Sequence, residues 1–174
     1  DKTPLTKGSM FHNIVEDSAG RQIDGSAPEE YDVLEKELEN RWGGEASRAY
    51  LYEPLTKEEE DKDSLRPALE SFSKWSKINP NRIIFVECEF EIDIGGIPWK
   101  GKIDRLEETP EGDLVIVDYK TGGKKKKIGN VNESIQLNVY AIATNIEKEK
   151  DMPFGKKLPD GVSLKGKKVA RASF

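Results

Sequence analysis

Cysteine is almost missing from this chain: Cys88 stands alone among 174 residues. A disulfide framework is thereby excluded, and so is a four-cysteine zinc or iron–sulfur site built from these residues. Cys88 sits in FVECEF, alternating with Val86 and Phe90 toward one face, and reads as a core residue. Histidine is equally scarce, with His12 the single one. No apolar run approaches the length of a membrane span, and no signal peptide is visible. A cytoplasmic setting with no membrane partner is therefore the default expectation. No internal repeat is present. The chain opens on Asp1 without a methionine and stops at Phe174 just after an expected strand, which suggests a fragment of a longer protein.

Charge is abundant, at 35% of residues, and its balance is −5. That net value argues weakly against a nucleic-acid binder, but the distribution is uneven. Residues 1–118 carry 15 basic and 28 acidic side chains, whereas residues 119–174 carry 13 basic and 5 acidic. Lys124, Lys125, Lys126 and Lys127 form an unbroken basic run, and Lys156, Lys157, Lys165, Lys167, Lys168 and Arg171 follow. A charge run is ordinarily a solvated face. Beside a carboxylate site it reads equally well as a guide for phosphates.

Patterning predicts a mixed α/β domain over 1–174. LTKGSMFHNIVEDS reads as a helix with Met10, Phe11, Ile14 and Val15 on one side. Residues 20–30 read as loop, and 29–41 and 65–78 as helices, the second ending before Asn79-Pro80. Gly43-Gly44 and the acidic KEEEDKD mark turns or exposed loop. Residues 20–80 form a helical insertion or subregion. Ile83 to Ile94 is a strand with Glu87, Glu89 and Glu91 on one face. Gly95-Gly96 turns it into a second strand, Ile97 to Leu106. Leu114 to Val117 is the third. VNESIQLNVYAIATNI is a helix with Asn132 as N-cap and an apolar stripe at 135, 139, 142 and 146. Val169 to Phe174 is a last strand. The central sheet is thus a three-strand meander plus a further strand, flanked by helices.

DLVIVDYKTG, residues 113–122, is the most informative stretch. A short apolar strand ends by placing Asp118 and Lys120 on one face, since side chains alternate along a strand. Taken alone this is an ordinary surface ion pair. The strand before it changes the reading. If Arg105 pairs near Val117, Asp104 lies across from Asp118, and two carboxylates share one small site. They repel unless one protonates or a cation holds them. Hard oxygen donors suit magnesium or manganese. Lys120 beside them can position water or stabilise a developing phosphorane charge. Gln136 and Tyr140, four apart on the next helix, share a face. They are either amphipathic boundary residues or groups that hydrogen-bond a phosphate or the lysine.

GKIDR, VDYKTG and QLNVYA in this order, with GSMFH upstream, resemble the motifs of PD-(D/E)xK nucleases of the RecB type. These are the nuclease domains attached to bacterial recombination helicases of the RecB, AddA and AdnAB kind. The resemblance covers residues 7–16 and about 84–142 and implies a restriction-endonuclease-like core. It implies that His12, Asp104 and Asp118 are metal ligands, with the backbone carbonyl of Tyr119 completing the shell. It implies that Lys120 is the motif lysine, supported by Gln136 and Tyr140. Glu87 lies where relatives often carry a glutamate, with no role fixed. Some relatives hold an iron–sulfur cluster on four cysteines, which this chain cannot do within itself. With no Walker motif, any helicase activity lies outside these residues.

The expectation is a Mg²⁺- or Mn²⁺-dependent DNA nuclease, the exonuclease domain of a DNA-repair and recombination helicase-nuclease. Its partners are single-stranded DNA or duplex ends and a helicase domain or subunit. Little base specificity is expected, because no base-reading signature is present. Two alternatives stay open: a non-cleaving nucleic-acid-binding module on the same fold, and a hydrolase of small phosphate esters.

Overall fold

The computed structural model describes residues 7–43, 55–120 and 131–173. The chain divides into two compact units, Asp1–Asn79 and Pro80–Phe174. The first is all helical: α1 (Lys7–Ile23), α2 (Tyr31–Arg41), α3 (Leu55–Asp63) and α4 (Arg66–Ile78), with α1, α2 and α4 packed on one another. The side of α1 expected to be apolar is indeed buried, with Met10, Phe11, Ile14 and Val15 at 2% exposure or less. Leu34 and Leu38 of α2 and Leu69 and Phe72 of α4 are buried likewise.

Two expectations here need correction. The loop read from residue 20 begins later, because α1 runs on to Ile23. Arg21 in that last turn is held by Glu29 at 2.7 Å and Glu37 at 3.0 Å, contacts far along the chain that local sequence cannot reveal. KEEEDKD, read as turn or exposed loop, lies in α3. Glu and Lys are strong helix formers. Lys62 adds ion pairs at 3.2 Å to Glu59 one turn back and to Glu39 on α2. Such exposed pairs contribute only tenths of a kcal/mol each, so propensity is the main cause.

The second unit contains the sheet. Strands β1 (Arg82–Ile94), β2 (Ile97–Glu108) and β3 (Leu114–Asp118) form an antiparallel meander. Helix α5 (Val131–Glu147) precedes β4 (Val169–Ser173), which pairs parallel to β3 and gives the order β1-β2-β3-β4. A parallel pair needs a long crossover, and the fifty residues from Tyr119 to Lys168 supply it. The protein is thus mixed α/β with a four-stranded mixed sheet and helices, consistent with a restriction-endonuclease-like fold. Among the described residues no helix is long and apolar enough to cross a membrane.

Alternation explains the hairpin. Cys88, Phe90 and Ile92 point into the core while Glu87, Glu89, Glu91 and Asp93 stay exposed. Burial pushes the Cys88 thiol up to about 12, which leaves it an inert apolar filler. The stripe read on α5 is corrected by one step around the helix. Val139 is buried, but Ile135, Ile142 and Ile146 are exposed. The inward face is Val139, Tyr140, Ala143, Thr144 and Glu147. An apolar period alone could not show which of two adjacent faces meets the sheet. The helix also begins at Val131, so Asn132 lies in its first turn and not at the cap.

Gly101 pairs with Phe90 across the hairpin, and the Phe90 ring lies over the glycine. A Cβ there would fall 2.6 Å from the ring carbon Cζ. The same ring meets Tyr140 edge-on, with centroids 5.8 Å apart. Gly101→Ala is therefore expected to destabilise the fold by about 1–2 kcal/mol through overpacking. In urea denaturation, Phe90→Leu in the Gly101→Ala background should restore part of that loss. A Gly101→Ala protein as stable as wild type would show that the ring moves aside freely.

Candidate active site

The register of β2 against β3 sets the site. Arg105 pairs with Val117 and Leu106 with Ile116, the alignment expected from the sequence. The next step along the ladder brings Asp104 beside Asp118. Directly opposed residues in an antiparallel pair have Cα atoms about 4.5–5.5 Å apart. Both aspartates retain only 5% exposure. Two ionised carboxylates this close and this dry repel one another. The backbone N–H of Tyr119 donates to Asp104 Oδ2 at 2.8 Å. Asp118 forms an ion pair with Lys120.

Lys120 is the start of a connected chain of contacts. Besides Asp118, its ammonium donates to Gln136 Oε1 at 3.2 Å. Gln136 Nε2 in turn donates to the Tyr140 hydroxyl at 2.8 Å. Helical spacing puts Gln136 and Tyr140 one turn apart on α5, so one helix face presents both. Burial raises the Tyr140 pKa, and the nearby carboxylates of Asp118 and Asp104 push the same way; the Gln136 hydrogen bond and Lys102 oppose them. The phenol therefore stays protonated at neutral pH. Its oxygen accepts from Gln136, so its own proton remains available to an incoming acceptor.

The register slot opposite Asp104 on β1 belongs to Glu87, between the pairs Val86–Arg105 and Cys88–Ile103. Glu87 adopts φ 51°, a left-handed conformation uncommon outside glycine. Its carboxylate accepts from Lys102 at 2.8 Å. Lys102 lies two residues before Asp104 on β2. It was not singled out from the sequence, although its spacing from Asp104 was readable there.

A second group was missed entirely. Arg105 and Glu107, on the opposite face of β2 from Asp104, pair at 2.6 Å with side-chain exposures of 2% and 1%. Arg105 Nη1 also donates to the Tyr119 hydroxyl at 3.3 Å. Burial pushes the Tyr119 phenol up to about 12, with Arg105 opposing the shift. Charged residues make up half of β2, IPWKGKIDRLEE, so only burial separates these two from solvent-facing ones.

His12 lies on α1 in the helical unit, where its ring stands edge-on to Phe11 at 6.2 Å. Glu16, four residues on and buried, shares its face of the helix. Lys124, Lys125, Lys126 and Lys127 lie outside the described residues. Within the sheet unit the structure thus brings together Asp104, Asp118, Lys120, Gln136 and Tyr140, with Tyr119 between the aspartate and the lysine.

The donors fit a hard divalent cation. Two buried carboxylates on adjacent strands offer oxygen ligands and leave a charge conflict that a dication would remove. Asp104 and Asp118 could supply carboxylate oxygens to it.

No curated protein matches the chain. A family model described as the PD-(D/E)XK nuclease superfamily matches residues 1–165. That superfamily comprises, in general, nucleases that use divalent metals, and the matched span takes in both aspartates, the lysine and the helix behind them. The chain belongs to the PD-(D/E)XK nuclease superfamily.

Proposed function

We propose that this chain is a divalent-metal-dependent deoxyribonuclease of the RecB, AddA and AdnAB type, acting as the exonuclease domain of a DNA-repair and recombination helicase-nuclease. The observation that carries the reading is the continuous contact chain Asp118–Lys120–Gln136–Tyr140 beside Asp104. A surface ion pair needs no such support. A lysine that must meet a phosphate at one position does. The motif order GKIDR, VDYKTG, QLNVYA supports the RecB-type assignment. It also supports a helicase domain or subunit as partner and single-stranded DNA or duplex ends as substrate.

In this reading Asp104, Asp118 and the Tyr119 carbonyl hold Mg²⁺ or Mn²⁺, with His12 as a further ligand by its place in GSMFH. The metal, when bound, polarises the scissile phosphate and makes water a stronger nucleophile at neutral pH. Lys120 aligns the attacking water and stabilises the negative charge that builds on the phosphate. Gln136 limits the lysine's rotamers by accepting from its ammonium. Tyr140 donates its free proton to a non-bridging phosphate oxygen. Lys124 to Lys127 hold flanking phosphates without reading bases.

Cleavage of end-labelled single-stranded DNA with Mg²⁺, and its loss in EDTA, tests the activity. Competition by long DNA but not by mononucleotides separates a nuclease from a hydrolase of small phosphate esters. Lys120→Ala should lower cleavage at least about 100-fold while fold and DNA binding persist. Lys120→Arg should rescue little, because a planar fork directs its charge differently. Near-normal cleavage by Lys120→Ala would return Lys120 to an ordinary ion pair.

Metal should also stabilise the fold by mass action. Melting temperature is expected to rise with added Mn²⁺, and the rise to shrink in Asp104→Ala and Asp118→Ala. His12→Ala should shrink it less, since a neutral imidazole offers a hard ion less than a carboxylate does. Equal Mn²⁺ binding by wild type and Asp104→Ala, read by titration calorimetry, would rule out the shared site.

Replacing Lys124 to Lys127 by glutamine should weaken DNA binding and flatten its salt dependence. Each lysine that contacts a phosphate contributes up to about one to the slope of log affinity against log salt. An unchanged slope would make the run a solvated loop.

A further inference from the structure

We propose that Arg105 and Glu107 are positioning residues, which anchor the Tyr119 side chain on one face of the sheet so that its backbone N–H holds Asp104 on the other. The catalytic meaning of this device rests on the metal-dependent reading above; the mechanical link does not. The last ladder pair of β3 is Asp118 with Ser173, and Tyr119 and Lys120 follow outside any strand. Yet the peptide after Asp118 separates the second aspartate from the lysine, and its N–H is bonded to the first aspartate at 2.8 Å.

Alternation explains how it is held. Tyr119 points to the face of Val117, which is the face of Arg105, and away from Asp104 and Asp118. The phenol is 2% exposed, and its hydroxyl accepts from Arg105 Nη1 at 3.3 Å. Arg105 is set by Glu107 at 2.6 Å, and Glu107 by Asn81 Nδ2 at 2.8 Å. The guanidinium therefore has little freedom. A buried ion pair adds little net stability, because desolvation offsets attraction, and apolar replacements of both partners are often as stable. Stability alone is a poor account of why arginine and glutamate occupy these two buried slots. Their contact with the residue that orients Asp104 is a better one. Groups that orient a metal ligand from behind typically change metal affinity or activity by about 10- to 100-fold when removed.

Two variants test this. Tyr119→Phe keeps the ring and deletes only the hydroxyl. The double variant Arg105→Met with Glu107→Leu removes both buried charges together. Three quantities are read: amide hydrogen exchange at residue 119 without metal, Mn²⁺ affinity by calorimetry, and kcat with KM on single-stranded DNA. In Tyr119→Phe we expect exchange about 10-fold faster, in line with the loss of one hydrogen bond. Mn²⁺ affinity and kcat should each fall about 10-fold, with KM nearly unchanged and the melting temperature lowered by roughly a few degrees, because Arg105 Nη1 loses a buried acceptor. The double variant should melt at or above wild type yet show the same losses. Unchanged exchange in Tyr119→Phe overturns the proposal, whether or not the double variant folds. Faster exchange in a protein whose wild type fails to bind Mn²⁺ supports the anchoring and removes the metal-dependent reading instead.

Discussion

The pairing of Arg105 with Val117 is the constraint on which the rest of the sheet unit depends. Side chains alternate with a period of two, so sliding β3 by one residue along β2 would exchange every inward and outward group at once. Asp118 would then leave the face of Asp104, and Tyr119 would leave Arg105. The register is specified from both sides. Leu114, Ile116 and Leu106 on one face, each fully buried, lose their core if it shifts. Arg105 and Glu107 on the other would be left as buried charges facing the wrong partners, which costs several kcal/mol. The turn before β3 adds a local stop: Asp113 N–H donates to Thr109 Oγ1 at 3.1 Å, and Thr109 N–H to the Asp113 carbonyl at 2.8 Å.

β2 therefore carries two kinds of buried charge on two faces. Asp104 belongs to a pair of like sign, which is unfavourable by itself. Arg105 and Glu107 belong to a pair of opposite sign, closed by Asn81 and Tyr119. The second set pairs opposite charges within the strand; in the first, Asp104 accepts from the Tyr119 N–H and Asp118 is paired with Lys120. This asymmetry distinguishes a scaffold from a site better than burial does, because all three residues are within 5% of full burial.

How much of this was legible in the sequence follows from how local each signal is. The strands were readable because Val86–Ile94 alternates and Gly95-Gly96 marks the turn at positive φ. The juxtaposition of Asp104 with Asp118 was readable because a short hairpin leaves few registers. The contact of Lys120 with Gln136 followed from motif order and a helix placed after the strand. The ends of α1, the helix over KEEEDKD and the inward face of α5 were not readable, since each is decided in part by partners distant in the chain. The Arg105–Glu107 pair was overlooked for a different reason. Charged residues at a strand's end ordinarily signal solvent, and only burial shows that these face the core.

Lys120 is where the sheet and the helix behind it meet. Holding a four-carbon side chain in one geometry costs up to about 2 kcal/mol of rotamer freedom, and Lys120 stands just beyond the last ladder pair. Its ammonium is fixed from below by Asp118 and from the side by Gln136. Gln136 is oriented by Tyr140, and the Tyr140 ring is braced by the edge of Phe90. Phe90 in turn needs Gly101 as its cross-strand partner, because any Cβ there would meet the ring. Gly101 is the first residue of GKIDR and Asp104 the fourth. One short stretch of β2 thus places an aspartate directly and steadies a lysine through three side chains on two other elements. A glycine in the middle of a strand weakens it in general; here the close approach of the Phe90 ring gives it a reason to be there.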